Sequence, residues 1–196
     1  MKKYSMALLL CLVCIAYIFF QHSQVASENW NTYPNLPSPV GTEPFLITSA
    51  GQATDGKVFS YLAKDLHLEG DYRPRALASD LYDYHTIVLV TGYSPHGLHQ
   101  TYRTVEEEKS RVRELVEEAE ASGIPLIIVH IGGSSRDDSL TWTFLKESLP
   151  HAEYVLGLSQ MEQNDKLMSL AKQHKVPVTL VEELSNMRTP FNSAFR

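Results

Sequence analysis

The chain has 196 residues, 43% hydrophobic and 20% charged, with ten Gly, ten Pro and two Cys. That excludes collagen-like, wholly disordered and disulfide-scaffold classes and fits about one globular domain. A formal net charge of -6 leaves no electrostatic footprint for nucleic acid, so none is expected as a partner.

Lys2 and Lys3 precede an unbroken apolar run, Met6 to Phe20, the pattern of a secretory signal. Val25 and Ser27 are small enough for a cut before Glu28, whereas the bulky Tyr17–Phe20 end suits an uncleaved anchor. The run is shorter than the ~20 residues of a typical membrane-spanning helix. Either way residues 1–27 act as a signal peptide or membrane anchor, the localisation is extracytoplasmic, and the only membrane contact is through this segment. Cys11 and Cys14 both lie in the targeting run, so their C-x-x-C spacing is not read as a redox pair. Residues 28–44 carry Pro34, Pro37, Pro39 and Pro44 and are expected to form a semi-rigid spacer.

From Phe45 the chain alternates. Phe45–Ser49 is a short apolar strand. Thr54–Leu66 is a helix whose Val58, Phe59, Leu62, Ala63 and Leu66 share one face. A weak strand covers Asp71–Arg73, and Thr86–Thr91 is a buried strand. Thr104–Ser122 is the clearest helix, opened by a Thr104/Glu107 capping box and stopped by Gly123. Its buried face is Val105, Val112, Leu115, Val116 and Ala119, and the charged run Glu106–Glu120 is expected to be solvated. Strand Pro125–Ile131, helix Leu140–Leu149 and strand Glu153–Leu158 follow. A helix opened by a Ser159/Glu162 capping box runs to about Gln173, then strand Val176–Val181 closes the pattern. Residues 185–196 show no periodicity and are expected to be an irregular tail.

Apolar strands separated by helices predict a mostly parallel sheet covered on both faces. With right-handed crossovers this is an α/β three-layer, doubly wound sandwich of five or six strands spanning 45–184.

Ligands of such sheets sit beyond the carboxyl ends of the strands, where strand order reverses. Three loops would border that crevice: Ser49–Asp55, Gly92–Leu98 and Gly132–Asp138. Gly51–Lys57 (GQATDGK) nearly matches a phosphate loop, but Val58 stands where Ser or Thr should hold magnesium. Around Ser94 there is a near nucleophile elbow, yet Pro95 lacks the backbone N–H that an oxyanion hole needs. His130 ends a central strand and is either a general base or ligand donor, or a histidine bonded to a neighbouring carbonyl. Asp137 and Asp138 with His96 and His130 match no recognised metal spacing, and Asp138 also suits a helix cap. Glu182 and Glu183 face opposite sides of a strand and form no carboxylate pair. Anion recognition has a physical basis: a helix N-terminus after Gly51, with Arg136 and Arg73 or Arg75 supplying charge-assisted bonds. No cofactor and no metal site is expected.

EPFLITSAGQ, the Gly92–Leu98 loop, IIVHIGG followed by Arg136, and VPVTLVEEL together resemble a family of exported α/β domains of unknown function from clostridial-type bacteria. The resemblance implies a flavodoxin-like or Rossmann-like fold and no assigned reaction. It carries over Ser49, Gly51, Gln52, Gly92, Gly97, His130, Gly132, Gly133 and Arg136. Ser134 and Asp137 depart from that family's acidic and basic positions.

The leading functional expectation is a non-catalytic domain binding a small anionic ligand through Ser49, Gly51, Gln52, Gly92, Ser94, His130, Gly132, Gly133 and Arg136. The alternatives are an extracytoplasmic hydrolase or transferase using His130 and Arg136, and an interaction module for an envelope protein partner.

Overall fold

Residues 31–160 and 163–196 are described in the computed structural model. The targeting segment, Cys11, Cys14 and Glu162 of the second capping box therefore lie outside the described residues.

Six strands form one sheet: β1 (Phe45–Ala50), β2 (Gly70–Tyr72), β3 (Thr86–Thr91), β4 (Leu126–His130), β5 (Tyr154–Leu158) and β6 (Val178–Val181). Their order is β2-β1-β3-β4-β5-β6, and every pairing is parallel. The fold is thus α/β and doubly wound, as the alternation predicts, with order reversing between β1 and β3 in the flavodoxin-like manner. β1 and β3 are buried along their whole lengths, which is why both are continuously apolar or small rather than alternating.

Period-two geometry divides the strand side chains between two cores. Leu46, Ile87, Leu89, Ile128 and Val155 point toward α3 (Val105–Ala121), α4 (Ser139–Ser148) and α5 (Asn164–His174), meeting Leu115, Phe144 and Leu167. Phe45, Ile47, Val88, Val129 and Leu156 point the other way, where α1 (Gly56–Asp65) brings Phe59 and Ala63. A short α2 (Pro95–His99) follows β3.

The capping box forms as expected: Thr104 Oγ1 accepts from Glu107 N at 3.2 Å, and Glu107 Oε2 accepts from Thr104 N at 2.7 Å. The bond from Thr104 N, with a second from Thr104 Oγ1 to the same Oε2 (2.9 Å), holds the Glu107 carboxyl below its ordinary range.

Two expectations about the ends are corrected. The 185–196 tail is not irregular. A 3-10 turn, Leu184–Met187, leads into α6 (Arg188–Ser193), which lies over the second core with Met187, Phe191, Ala194 and Phe195 buried. The physical reason is coverage. Among the described helices α1 is the other one on this face, and it cannot screen β3, β4 and β5 alone. Phe191 packs edge-on to Phe45, Phe59 and Phe195, with centroids 6.0, 5.1 and 5.5 Å away.

The proline-rich segment is, from Asn31 onward, docked rather than spacing. Thr32 N donates to Val178 O (2.7 Å), Leu36 N to Ser193 Oγ (3.1 Å), Gly41 N to Ala194 O (2.8 Å) and Thr42 N to Thr86 Oγ1 (2.8 Å). Leu36 joins the second core. Among the described residues no helix is long and apolar enough to cross a membrane.

Candidate functional site

At the switch point the two bordering loops are bonded to each other. Gly92 N donates to Ala50 O (2.9 Å), Ala53 N to Gly92 O (3.0 Å) and Ser94 N to Gly51 O (2.8 Å), and Gln52 and Tyr93 form an antiparallel bridge. The turn needs Gly51 at φ +91 followed by Gln52 at φ +63. A Cβ on Gly51 would sit 2.7 Å from Gly92 O, so glycine is what lets the loops touch.

Beneath this zipper lies a buried polar network absent from the expectations. Glu108 is fully buried and Arg111 nearly so, correcting the reading of Glu106–Glu120 as a solvated face. Glu108 Oε1 accepts from Gly51 N (3.2 Å), Gln52 Nε2 (2.9 Å) and Arg111 Nη2 (2.7 Å), while Oε2 accepts from Arg111 Nε (2.9 Å). Arg111 also donates to Ala76 O (2.6 Å) and to Ser49 O. One ion pair thus ties α3 to the end of β1 and to the loop that follows β2, through the carbonyls of Ser49 and Ala76.

The network and the zipper reassign three expected ligand contacts. Gln52 spends its amide on Glu108 and on Pro74 O (3.1 Å). Ser49, fully buried, donates to Ala53 O at 3.1 Å. Ser94 Oγ accepts from Gly97 N at 3.1 Å and caps α2. All three hold the chain's own backbone. Lys57 of the near-miss phosphate loop lies over the Tyr61 ring, 5.9 Å from its centroid.

His130 and Arg136 both lie at this end of the sheet, without a contact between them. His130 is fully buried at the tip of β4. Its Nδ1 lies 2.8 Å from Thr91 O. A carbonyl only accepts, so Nδ1 carries the proton and Nε2 is left as a lone-pair acceptor. Among the described residues no group bonds to Nε2. Burial pushes the His130 pKa down, and the Thr91 bond and the carboxylates of Asp55, Asp137 and Asp138 partly oppose it. The bland reading of a carbonyl-bonded histidine therefore holds for one ring nitrogen and not for the other.

Arg136 folds back over its own loop. Its Nη1 donates to Tyr93 O at 2.9 Å, and Nε lies 3.9 Å from Asp55 Oδ2. A Cβ on Gly132 would collide with Arg136 Cγ, so that glycine makes the fold-back possible. Asp137 Oδ1 accepts from Trp142 Nε1 (2.5 Å) and Gln163 Nε2 (2.9 Å). Its Oδ2 is buried without a partner, as is Asp55 Oδ2 with respect to hydrogen bonds. Asp138 caps α4 through Leu140 N and Thr141 N, both at 2.9 Å. The other arginines expected to assist work elsewhere: Arg73 pairs with Asp80 at 3.3 Å, and Arg75 donates to Gln100 O at 3.1 Å.

The sequence from residue 42 to 195 matches a family described as a domain of unknown function, DUF6305. The chain belongs to that family. No curated protein and no solved structure matches it. The DUF6305 match takes in all six strands and the α6 clamp, so the C-terminal helix is part of the shared unit. The chemistry-bearing groups of this DUF6305 domain that the sequence leaves unflagged are Glu108, Arg111 and Asp55. Among its described residues no group of three or more His, Cys, Asp or Glu side chains is placed to hold a metal ion.

Proposed function

We propose that this domain is exported and acts as a non-catalytic binding domain, taking a small ligand at the carboxyl ends of β3 and β4 beside His130. The observation that carries the reading is His130 Nε2, a buried acceptor of fixed tautomer with no donor among the described residues. Leaving a buried polar group unsatisfied costs about 1–3 kcal/mol, and a ligand N–H or O–H recovers that cost. The non-catalytic part is supported by what surrounds the ring. Ser94 is committed to capping α2, Ser49 to Ala53 O, and neither hydroxyl bonds to His130 as a nucleophile would. Export is supported by the Lys2–Lys3 and Met6–Phe20 pattern. Fusing residues 1–30 to a reporter active only outside the cytoplasm is expected to give signal, and a silent fusion would refute export.

Binding is tested by thermal shift of the purified protein against carboxylates, phosphates, sugars, amino acids and amines. A ligand at 100 times its Kd stabilises by about 2.7 kcal/mol, roughly 5–10 °C for a domain of this size. The shift is expected to vanish in His130→Leu. No shift with any class overturns the binding reading.

A further inference from the structure

Helices α3 and α4 leave a cleft of about 210 Å³ between them. Val112 and Val116 of α3, both buried, form its apolar wall, and Glu147 and Ser148 close it from α4. Two polar atoms of these closing residues are unmatched among the described residues. Ser148 is fully buried, and its Oγ has no hydrogen-bond partner. A helical serine or threonine commonly turns its hydroxyl back to the carbonyl four residues earlier. Thr143 does so in the same helix, donating to Ser139 O at 2.9 Å; Ser148 does not. Glu147 Oε2 is likewise buried without a hydrogen bond. It is the oxygen away from Arg113, whose Nη2 lies 3.7 Å from Oε1.

We propose that this cleft binds a small neutral alcohol, one hydroxyl on an apolar body about the size of a six-membered ring. An apolar cavity of about 150 Å³ holds benzene, so this cleft has room for a ring and its hydroxyl. A hydroxyl both donates and accepts. It accepts from Ser148 Oγ, brought to bear by rotation about the single χ1 bond, and donates to Glu147 Oε2. The charges around the cleft favour a neutral ligand. Arg113 stands by Glu147, and His151, also on the lining, has Nδ1 2.7 Å from Glu120 Oε2. Glu117, the remaining ion of the lining, is exposed. An ionised head buried against two valines would find no free counter-ion beside it. Asp138 caps one end of α4 and Ser148 closes the other, so this site lies apart from the His130 face and stands or falls independently of it.

The test is a titration of the full chain with four matched probes, benzyl alcohol, toluene, benzylammonium and benzoate, followed by the methyl resonances of Val112 and Val116. Benzyl alcohol is expected to shift both valines saturably and to bind about tenfold tighter than toluene, the gain of one well-placed hydrogen bond. Ser148→Ala is expected to bring benzyl alcohol down to the affinity of toluene and to leave toluene unchanged. The same variant should keep or raise Tm, because it deletes a buried hydroxyl that has no partner. Glu147→Ala supplies an independent second reading, again weakening benzyl alcohol and sparing toluene. Equal affinity for toluene and benzyl alcohol, or indifference of benzyl alcohol to both variants, overturns the hydroxyl recognition. Tighter binding of benzylammonium or benzoate overturns the neutral class. A lowered Tm in Ser148→Ala shows the hydroxyl to be partnered and removes the premise. Shifts that miss Val112 and Val116, or no saturation with any probe, overturn the site.

Discussion

Replacing Glu108 by Gln removes one charge from the best-buried ion pair among the described residues and changes almost no volume. Both carboxylate oxygens are surrounded by donors: three at Oε1 and Arg111 Nε at Oε2. Wherever the new amide NH2 lies, it therefore faces a donor, and Arg111 keeps a buried charge without a counter-ion. Breaking a buried pair from one side costs about 3–5 kcal/mol. A domain of 150–250 residues loses about 2–4 °C of Tm per kcal/mol, so Glu108→Gln is expected to lower Tm by roughly 6–20 °C. The assay is thermal unfolding at pH 7 followed by circular dichroism, with native-state hydrogen exchange at the Gly51 amide. That amide donates to Glu108 and should exchange faster in the variant. The double variant Glu108→Met with Arg111→Met should recover part of the loss. Recovery stays incomplete because Gly51 N, Ser49 O and Ala76 O lose their partners. A Tm within about 2 °C of the parent, below the range expected for breaking a buried pair, would refute the argument that this pair locks the β1 loop.

Truncating the clamp should be as damaging: Phe191→Ala is expected to cost about 3–5 kcal/mol, measured by urea unfolding, and an unchanged midpoint would show α6 to be a passenger. Gly51→Ala imposes a side chain at φ +91 against Gly92 O and should lose more than about 1 kcal/mol, again read by urea. For His130 the native pKa lies below the unfolded value, so protons bind the unfolded chain first as pH falls. Its contribution to stability is therefore level above about pH 6.5 and declines below it, flattening once the depressed native pKa is passed. His130→Gln should remove that portion of the decline between pH 7 and 5, and parallel Tm–pH curves for parent and variant would contradict it.

The strands were legible because a sheet covered on both faces demands uninterrupted apolar runs, and TIVLVT and LIIVH have them. Helix α3 announces itself through its capping box and apolar stripe. The same stripe contains a clue to Glu108, which falls midway between Val105 and Val112 at helical spacing, on the buried side. A charge in that position reads as solvated only if its sequence neighbours are weighed instead of its face. Met187, Phe191 and Phe195 recur every fourth residue, and Pro190 disguises them as loop. The site was harder for another reason. A polar residue in a loop can face a ligand or the chain's own backbone, and its letter is the same in both cases. Ser49, Gln52 and Ser94 serve the backbone because the tight β1 turn and the short α2 leave donors and carbonyls to satisfy. Asp55 carries no local pattern at all; its importance comes from Arg136, 81 positions later in the chain.

The last residue of the sequence, Arg196, bonds Glu43 Oε1 (3.1 Å) and His67 O (2.9 Å), at the amino-terminal end of β1. A purification tag or surface linker added after Arg196 would therefore emerge on the side opposite His130 and Arg136. Immobilised by that end, the domain would present the carboxyl ends of its strands outward to a flowing analyte. The same junction, with Gly41 bonded to Ala194, brings residues distant in sequence within reach of a short engineered linker. A rearranged gene that opens instead at the exposed Ser159–Gln160 turn would then test whether the order of the strands along the chain matters to the finished sheet.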